Sequence, residues 1–266
     1  MRKNSLKCLF INLVILFISC SCMGGKRQSV VNRPSSVFIS DYVSRIDGEI
    51  IISHLGYTAS YNSTTKIPNW VAYELTKEET LGAVKRDNRF YNDPSIPLNQ
   101  QATFDDYRNE NRWDKGHMAP AGDMKWSEQA MLESCYFTNI CPQNRNLNNG
   151  DWKSLEEKCR SLAQKYGSIF IICGPIIGEI KNGTLGANQV VIPDAFFKVL
   201  MVKVNDQYEG IGFVLENKAG HRDLIDYAMS VDSVEIITGL DFFGQLPDGI
   251  ENEMESNFNN LYWLGH

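Results

Sequence analysis

His117 stands in Trp113-Asp114-Lys115-Gly116-His117-Met118-Ala119-Pro120, a setting that suits proton transfer. An imidazole titrates near neutral pH, so it can take or give a proton where most side chains cannot. Asp114 and Lys115 put charges of both signs beside it. Gly116 permits close backbone approach or unusual dihedrals next to the ring, and Pro120 stiffens the exit. The other histidines, His54, His221 and His266, lack such a neighbourhood.

A second cluster follows, running Thr138-Asn139-Ile140-Cys141-Pro142-Gln143-Asn144-Arg145-Asn146-Leu147-Asn148-Asn149-Gly150-Asp151-Trp152 and on to Glu156. Turn and helix-cap chemistry accounts for some of these asparagines. It does not account for a strand, an amide-rich loop and a helix carrying Glu156 joined end to end.

These elements must be positioned by a larger frame. Asp151–Tyr166 places Trp152, Leu155, Cys159, Leu162, Ala163 and Tyr166 on one stripe, which predicts an amphipathic helix ended by Gly167. Tyr57–Tyr61 and Trp70–Leu75 read as a strand pair around a turn at 62–69. Strands are predicted at 136–140, 168–172, 190–192, 196–204 and 210–215, and short helices at 128–134 and 223–229. Residues 85–112 read as a long loop with a short helix near 104–108, and 248–260 as an acidic, solvated helix. The sum is a mixed α/β domain with largely antiparallel sheet.

The two clusters together resemble the signature of the DNA/RNA non-specific endonucleases, the ββα-metal nucleases. That signature runs Asp-Arg-Gly-His, then Asn-x-x-Pro-Gln, then Leu-Asn-x-x-x-Trp-x-x-Leu-Glu. Here it reads Asp114-Lys115-Gly116-His117, Asn139 to Gln143, and Leu147-Asn148 through Trp152 to Leu155-Glu156, in the same order and spacing. Val191–Lys198 and Thr238–Phe243 also look like family segments, so the resemblance extends from about Gly56 to Phe243. Lys115 departs from the usual Arg, which keeps the charge and loses the bidentate fork.

The resemblance implies an α+β fold: a ββα-metal core within a larger, mainly antiparallel sheet flanked by helices. It implies a metal-dependent endonuclease acting on DNA and RNA without sequence preference. His117 is then the general base that activates a water. Asn148 is the direct protein ligand of a divalent metal, Mg²⁺ or in its place Mn²⁺. Glu156 reaches back to metal-bound waters, on the argument that eight helical residues span about 12 Å and side chains lean towards the N-terminus. Asn139 orients a site water or His117, and Asp114 and Lys115 complete the motif. An upstream arginine contacts the phosphate. Arg86 and Arg89 both fit the context before Phe90-Tyr91-Asn92-Asp93-Pro94, and Arg86 is preferred. The alternatives are a metal-dependent phosphodiesterase with another substrate, or an inactive lipoprotein that kept the fold for binding.

Charge argues against coating nucleic acid by bulk attraction. The 266 residues carry a formal −6, and no basic stripe is visible. Residues 200–266 hold twelve acids against three bases, a net of −9. Residues 1–19 hold Arg2, Lys3 and Lys7 and no acid. The apolar stretch Cys8–Ser19 is too short to span a bilayer and reads as a signal peptide. Phe17-Ile18-Ser19-Cys20 resembles a bacterial lipobox, in which Cys20 becomes a lipidated first residue. The expected organisation is therefore a signal peptide at 1–19, a lipid-anchored tether at 20–45 and one endonuclease domain at 46–266, exported and facing periplasm or cell exterior. Four cysteines remain in the domain, Cys135, Cys141, Cys159 and Cys173, which allow three disulfide pairings. No CxxC spacing suggests structural zinc.

Overall fold

Long runs such as Ala195-Phe-Phe-Lys-Val-Leu-Met-Val202 suit a strand buried on both faces, since each side chain then meets a covering layer. The computed structural model describes residues 43–179, 181–205 and 207–263, and builds such a sheet. Seven strands pair antiparallel in the order β1 (Ile50–Ser53), β2 (Thr58–Asn62), β3 (Ile67–Thr76), β6 (Ser168–Ile176), β9 (Ala195–Val204), β10 (Gln207–Glu216) and β11 (Ala228–Met229). A separate two-stranded ribbon pairs β4 (Trp113–His117) with β5 (Ile140–Asn144). A minor ribbon pairs β7 (Thr184–Leu185) with β8 (Val190–Val191).

Alternation along the central strands divides the core in two. Val71, Tyr73 and Leu75 of β3, Ile169 and Ile171 of β6, and Phe196, Leu200 and Val202 of β9 face one side. There they meet helix α3 (Asp151–Tyr166) through Trp152, Leu155, Cys159, Leu162 and Ala163. Trp70, Ala72, Ile172, Phe197, Val199 and Met201 face the other side. There they meet α4 (Val231–Thr238) through Val231 and Val234, and α5 (Asp248–Ser256) through Met254. Two further helices are α1 (Glu128–Ser134) and α2 (Arg145–Asn149), and α6 (Asn260–Trp263) closes the described chain.

Helix α3 ends at Gly167, whose φ of +93° carries the chain into β6 through a conformation that a side chain would oppose. The 3-10 turn at Phe104–Tyr107 has a capping box from Thr103 and Asp106. Some local expectations differ from the structure. Phe137–Asn139 is a 3-10 turn, and the strand begins only at Ile140. Residues 224–227 are 3-10 and lead into β11. The acidic helix stops at Ser256.

The expected signal peptide and tether lie outside the described residues, apart from Val43–Arg45, and so does His266. Val43 is buried and bridges Phe242, while the Ser44 N–H donates to the Asp241 carbonyl at 2.8 Å. The chain is therefore docked on the domain before position 46. Among the described residues no helix is long and apolar enough to cross a membrane. Cys135, Cys141, Cys159 and Cys173 are buried free thiols.

Candidate active site

The β4–β5 ribbon, α2 and α3 follow one another as a ββα unit against the main sheet. Register sets His117 opposite Ile140, Gly116 opposite Cys141 and Asp114 opposite Gln143. Of the two uses foreseen for Gly116, close approach is the one realised. A Cβ there would lie 2.3 Å from Oε1 of Gln143.

His117 ends β4 and is 7% exposed. Its Nε2 is buried and has no hydrogen-bond partner. Burial first, and then the positive charge of Arg86, push its pKa down to about 3. The ring therefore stays neutral at physiological pH and offers a lone pair. Phe90 packs on it with centroids 5.3 Å apart.

Asn139 is fully buried, and its amide binds the main chain: Oδ1 accepts from the Ala119 N–H at 2.9 Å, and Nδ2 donates to the carbonyls of Ala119 and Ser134, each at 2.8 Å. Of the two uses expected for it, these bonds suit the orienting of His117, because they lock the segment that leaves the ring.

Asp114 organises helix α2. Its carboxylate accepts from Arg145 Nε at 3.0 Å, Asn148 Nδ2 at 3.2 Å and Asn149 Nδ2 at 2.9 Å. A carboxylate can only accept, so the nitrogen of Asn148 must face Asp114 and its Oδ1 must face away. The half-buried Asn148 thus presents a hard oxygen donor.

Asn148 and Glu156 do not share one helix, so the 12 Å helical spacing does not apply. Gly150 interrupts at φ −109°, ψ −110°, ending α2 and starting α3. A Cβ there would lie 2.5 Å from the Asn146 carbonyl oxygen. Glu156 is half-buried in the second turn of α3. Burial raises its pKa to about 7, against the pull of Lys198, Arg160 and Arg86.

Arg86 is the group that joins the halves, because its charge acts on both His117 and Glu156. Arg89 is turned away. It pairs with Asp87 at 3.1 Å with its side chain 77% exposed. Lys115 holds its ammonium 5.4, 5.2 and 5.3 Å from the ring centroids of Phe90, Phe104 and Tyr107. Burial lowers its pKa. The rings supply cation–π attraction in place of lost water.

Two supports escaped the sequence reading. Lys198, on β9, is fully buried with its ammonium 4.4 Å from the Trp152 ring centroid, in the field of Glu156. Asp123, also fully buried, pairs with Arg160 at 2.7 Å and accepts from the Tyr73 hydroxyl at 2.9 Å. Lys198 sat in a segment noted for resemblance, and a lone charge inside an apolar strand is the signal that could have found it. His221 pairs with Asp151 at the surface, and His54 lies between Asp93 and Glu133. Neither is shown in contact with His117.

The residues suit a divalent hard cation: Asn148 offers an oriented amide oxygen, and the half-buried Glu156 offers a carboxylate that can accept from an ion's waters.

The sequence profile of the DNA/RNA non-specific endonucleases matches residues 35–249. Mitochondrial nuclease EXOG of Xenopus laevis is 32% identical over 223 residues, covering 78% of this chain and 62% of its own length. Nuclease C1 of Cunninghamella echinulata is 33% identical over 205 residues, covering 71% of this chain and 81% of its own. Mitochondrial endonuclease G of Bos taurus is 30% identical over 203 residues, covering 71% and 68%. The chain thus spans about three fifths of the EXOG relatives' length. A crystal structure of an EndoG/EndoGI complex superposes with a TM-score of 0.70 at 29% identity, covering 75% of this chain and 88% of that one. With that profile match, the shared fold and the ββα unit built around His117, the chain belongs to the DNA/RNA non-specific endonuclease family.

Proposed function

We propose that this chain is a metal-dependent endonuclease that hydrolyses phosphodiester bonds of DNA and RNA without sequence preference. The observation that carries this reading is the buried, unpartnered Nε2 of His117 beside Arg86. Arg86 holds a phosphodiester by charge, in line with the family's use of an arginine there. The anion then offsets the arginine's repulsion of an imidazolium, so the proton affinity of His117 rises as substrate arrives. Nε2 takes the proton from a water as that water attacks phosphorus in line. Asn139 keeps the ring placed by holding the main chain after it.

Asn148 Oδ1 would hold Mg²⁺, or Mn²⁺ in its place, as the direct protein ligand, and Glu156 would accept from the ion's waters. When bound, the ion neutralises charge on phosphate and leaving oxygen and offers a water that can protonate the latter. Lys115 adds positive charge without a bidentate fork, so phosphate is attracted but its orientation is left to Arg86. Among the described residues no base-reading module accompanies the site, which supports sequence-independent cleavage.

Nicking of supercoiled plasmid and hydrolysis of RNA, with Mg²⁺ and with EDTA, test this directly. Cleavage of both polymers, lost in EDTA, is expected. Cleavage confined to one short sequence, or undiminished in EDTA, would overturn it.

We also propose export and lipidation at Cys20, supported by the basic start, the short apolar stretch and the Ser19-Cys20 junction. Multiple acyl chains hold a protein firmly to a membrane. Cys20→Ser should release the protein and change its mass, and retention without a mass change would overturn the assignment.

A further inference from the structure

Helices α4 and α5 lie on the face of the sheet opposite α3. Their facing surfaces bring together Asp232 and Glu235 of α4 and Glu255 of α5, with carboxylate oxygens all within 4.8 Å of one another. An acidic cluster alone is common at surfaces. Glu255 makes this one different. It is 5% exposed, and its Oε1 is sealed from solvent with no hydrogen-bond partner. Glu235 gives one oxygen to the Phe242 N–H at 2.7 Å and keeps its other oxygen.

The charges around Glu255 are of its own sign. Burial first, and then the charges of Glu235, Glu251, Asp232 and Asp241, raise its pKa to about 9. A buried carboxylate without a counter-charge is costly and must gain either a proton or a cation. Asp232 and Glu235 are only partly buried, so waters can complete a coordination shell.

We propose that Asp232, Glu235 and Glu255 form a cation site of the calcium class, separate from the centre at His117, that clamps α5 onto α4. The ion is identified by donor type: three converging carboxylates with room for waters offer the several hard oxygen ligands in flexible geometry that Ca²⁺ takes. Mg²⁺ needs about 2.1 Å and gives up its waters reluctantly, so it fits three converging carboxylates less well. No histidine or cysteine belongs to the cluster, which disfavours zinc.

The test uses the full chain carrying Asn148→Ala, stripped with EDTA, so that the ligand proposed for the other centre is absent. CaCl₂ at about a hundredfold over its dissociation constant should raise Tm by about 5–10 °C. MgCl₂ at equal concentration should raise it clearly less. Adding Glu255→Gln should abolish the calcium effect while leaving Tm in EDTA equal or higher, because no carboxyl there then needs a proton or a cation. Adding Asp232→Asn should weaken the effect at least tenfold in concentration. The proposal is overturned by an unchanged Tm with CaCl₂, by equal rises with Mg²⁺ and Ca²⁺, or by a rise that both acid variants retain.

Discussion

Asn148 donates its side-chain N–H to the Asp114 carboxylate at 3.2 Å, and that single bond decides which end of the amide faces the site. Asp114→Ala should raise the Mg²⁺ concentration for half-maximal rate by about 10–100-fold, the usual cost of losing a partner behind a metal ligand. The rate at saturating Mg²⁺ should fall much less. A rate loss that no amount of Mg²⁺ recovers would place Asp114 in the chemical step instead.

Arg86 and Arg89 are three residues apart but have different surroundings. Arg86→Ala should lower kcat/KM by about 10²-fold, the scale of losing one charged contact to phosphate. It should also raise the pKa of His117, since a like charge that disfavours the imidazolium is gone. Arg89→Ala should stay within about twofold. The kinetics of both variants and an NMR titration of His117 check this, and equal losses for the two arginines would refute it.

His54 carries a pH prediction for stability. Burial opposes its charge, but hydrogen bonds to Asp93 and Glu133 override it and raise the pKa to about 9. A raised histidine stabilises the fold fully below its unfolded value of 6.5 and loses that contribution as pH rises through about 9. Between those limits the native protein should lose up to about 3 kcal/mol. His54→Gln should be less stable at pH 6 and show a flatter Tm between pH 6.5 and 9.5. Parallel Tm curves for the two proteins would show that the ring is uncharged in the fold.

Gly116→Ala tests the packing of the ribbon. Its Cβ would meet Gln143, a buried side chain with little room to retreat. Overpacking of this kind typically costs about 1–3 kcal/mol. A thermal melt should show the loss, and an unchanged Tm would mean that Gln143 moves freely.

Much of the frame was legible because its signals are local. The α3 stripe and its stop at Gly167 lie within one stretch, and periodicity reports them directly. Strand β5 reads as loop in the sequence because Pro142, Gln143 and Asn144 are poor strand residues. It is buried because Asn217, more than seventy residues on, accepts the Asn144 N–H at 2.7 Å and donates to the Pro142 carbonyl at 3.0 Å. The place of Asn139 could not be read either. An asparagine that serves a water and one that serves the main chain look alike until Ala119 and Ser134 are placed around it. The pairing of His54 with Asp93 and Glu133, and of Glu255 with Asp232 and Glu235, likewise depends on distant segments.

The central claim is a division of labour: His117 moves the proton and Asn148 holds the metal. The decisive measurement is the cleavage rate against Mg²⁺ concentration for the native chain, His117→Ala, Asn148→Ala and Glu156→Ala. His117→Ala should lose about 10²–10⁴-fold in rate with its half-saturating Mg²⁺ unchanged. Asn148→Ala should need far more Mg²⁺ and recover part of its rate when supplied with it, as water fills the vacated position. Glu156→Ala should fall between them, at about 10–100-fold. Rescue of His117→Ala by Mg²⁺, or an unchanged Mg²⁺ dependence in Asn148→Ala, would contradict the assignment.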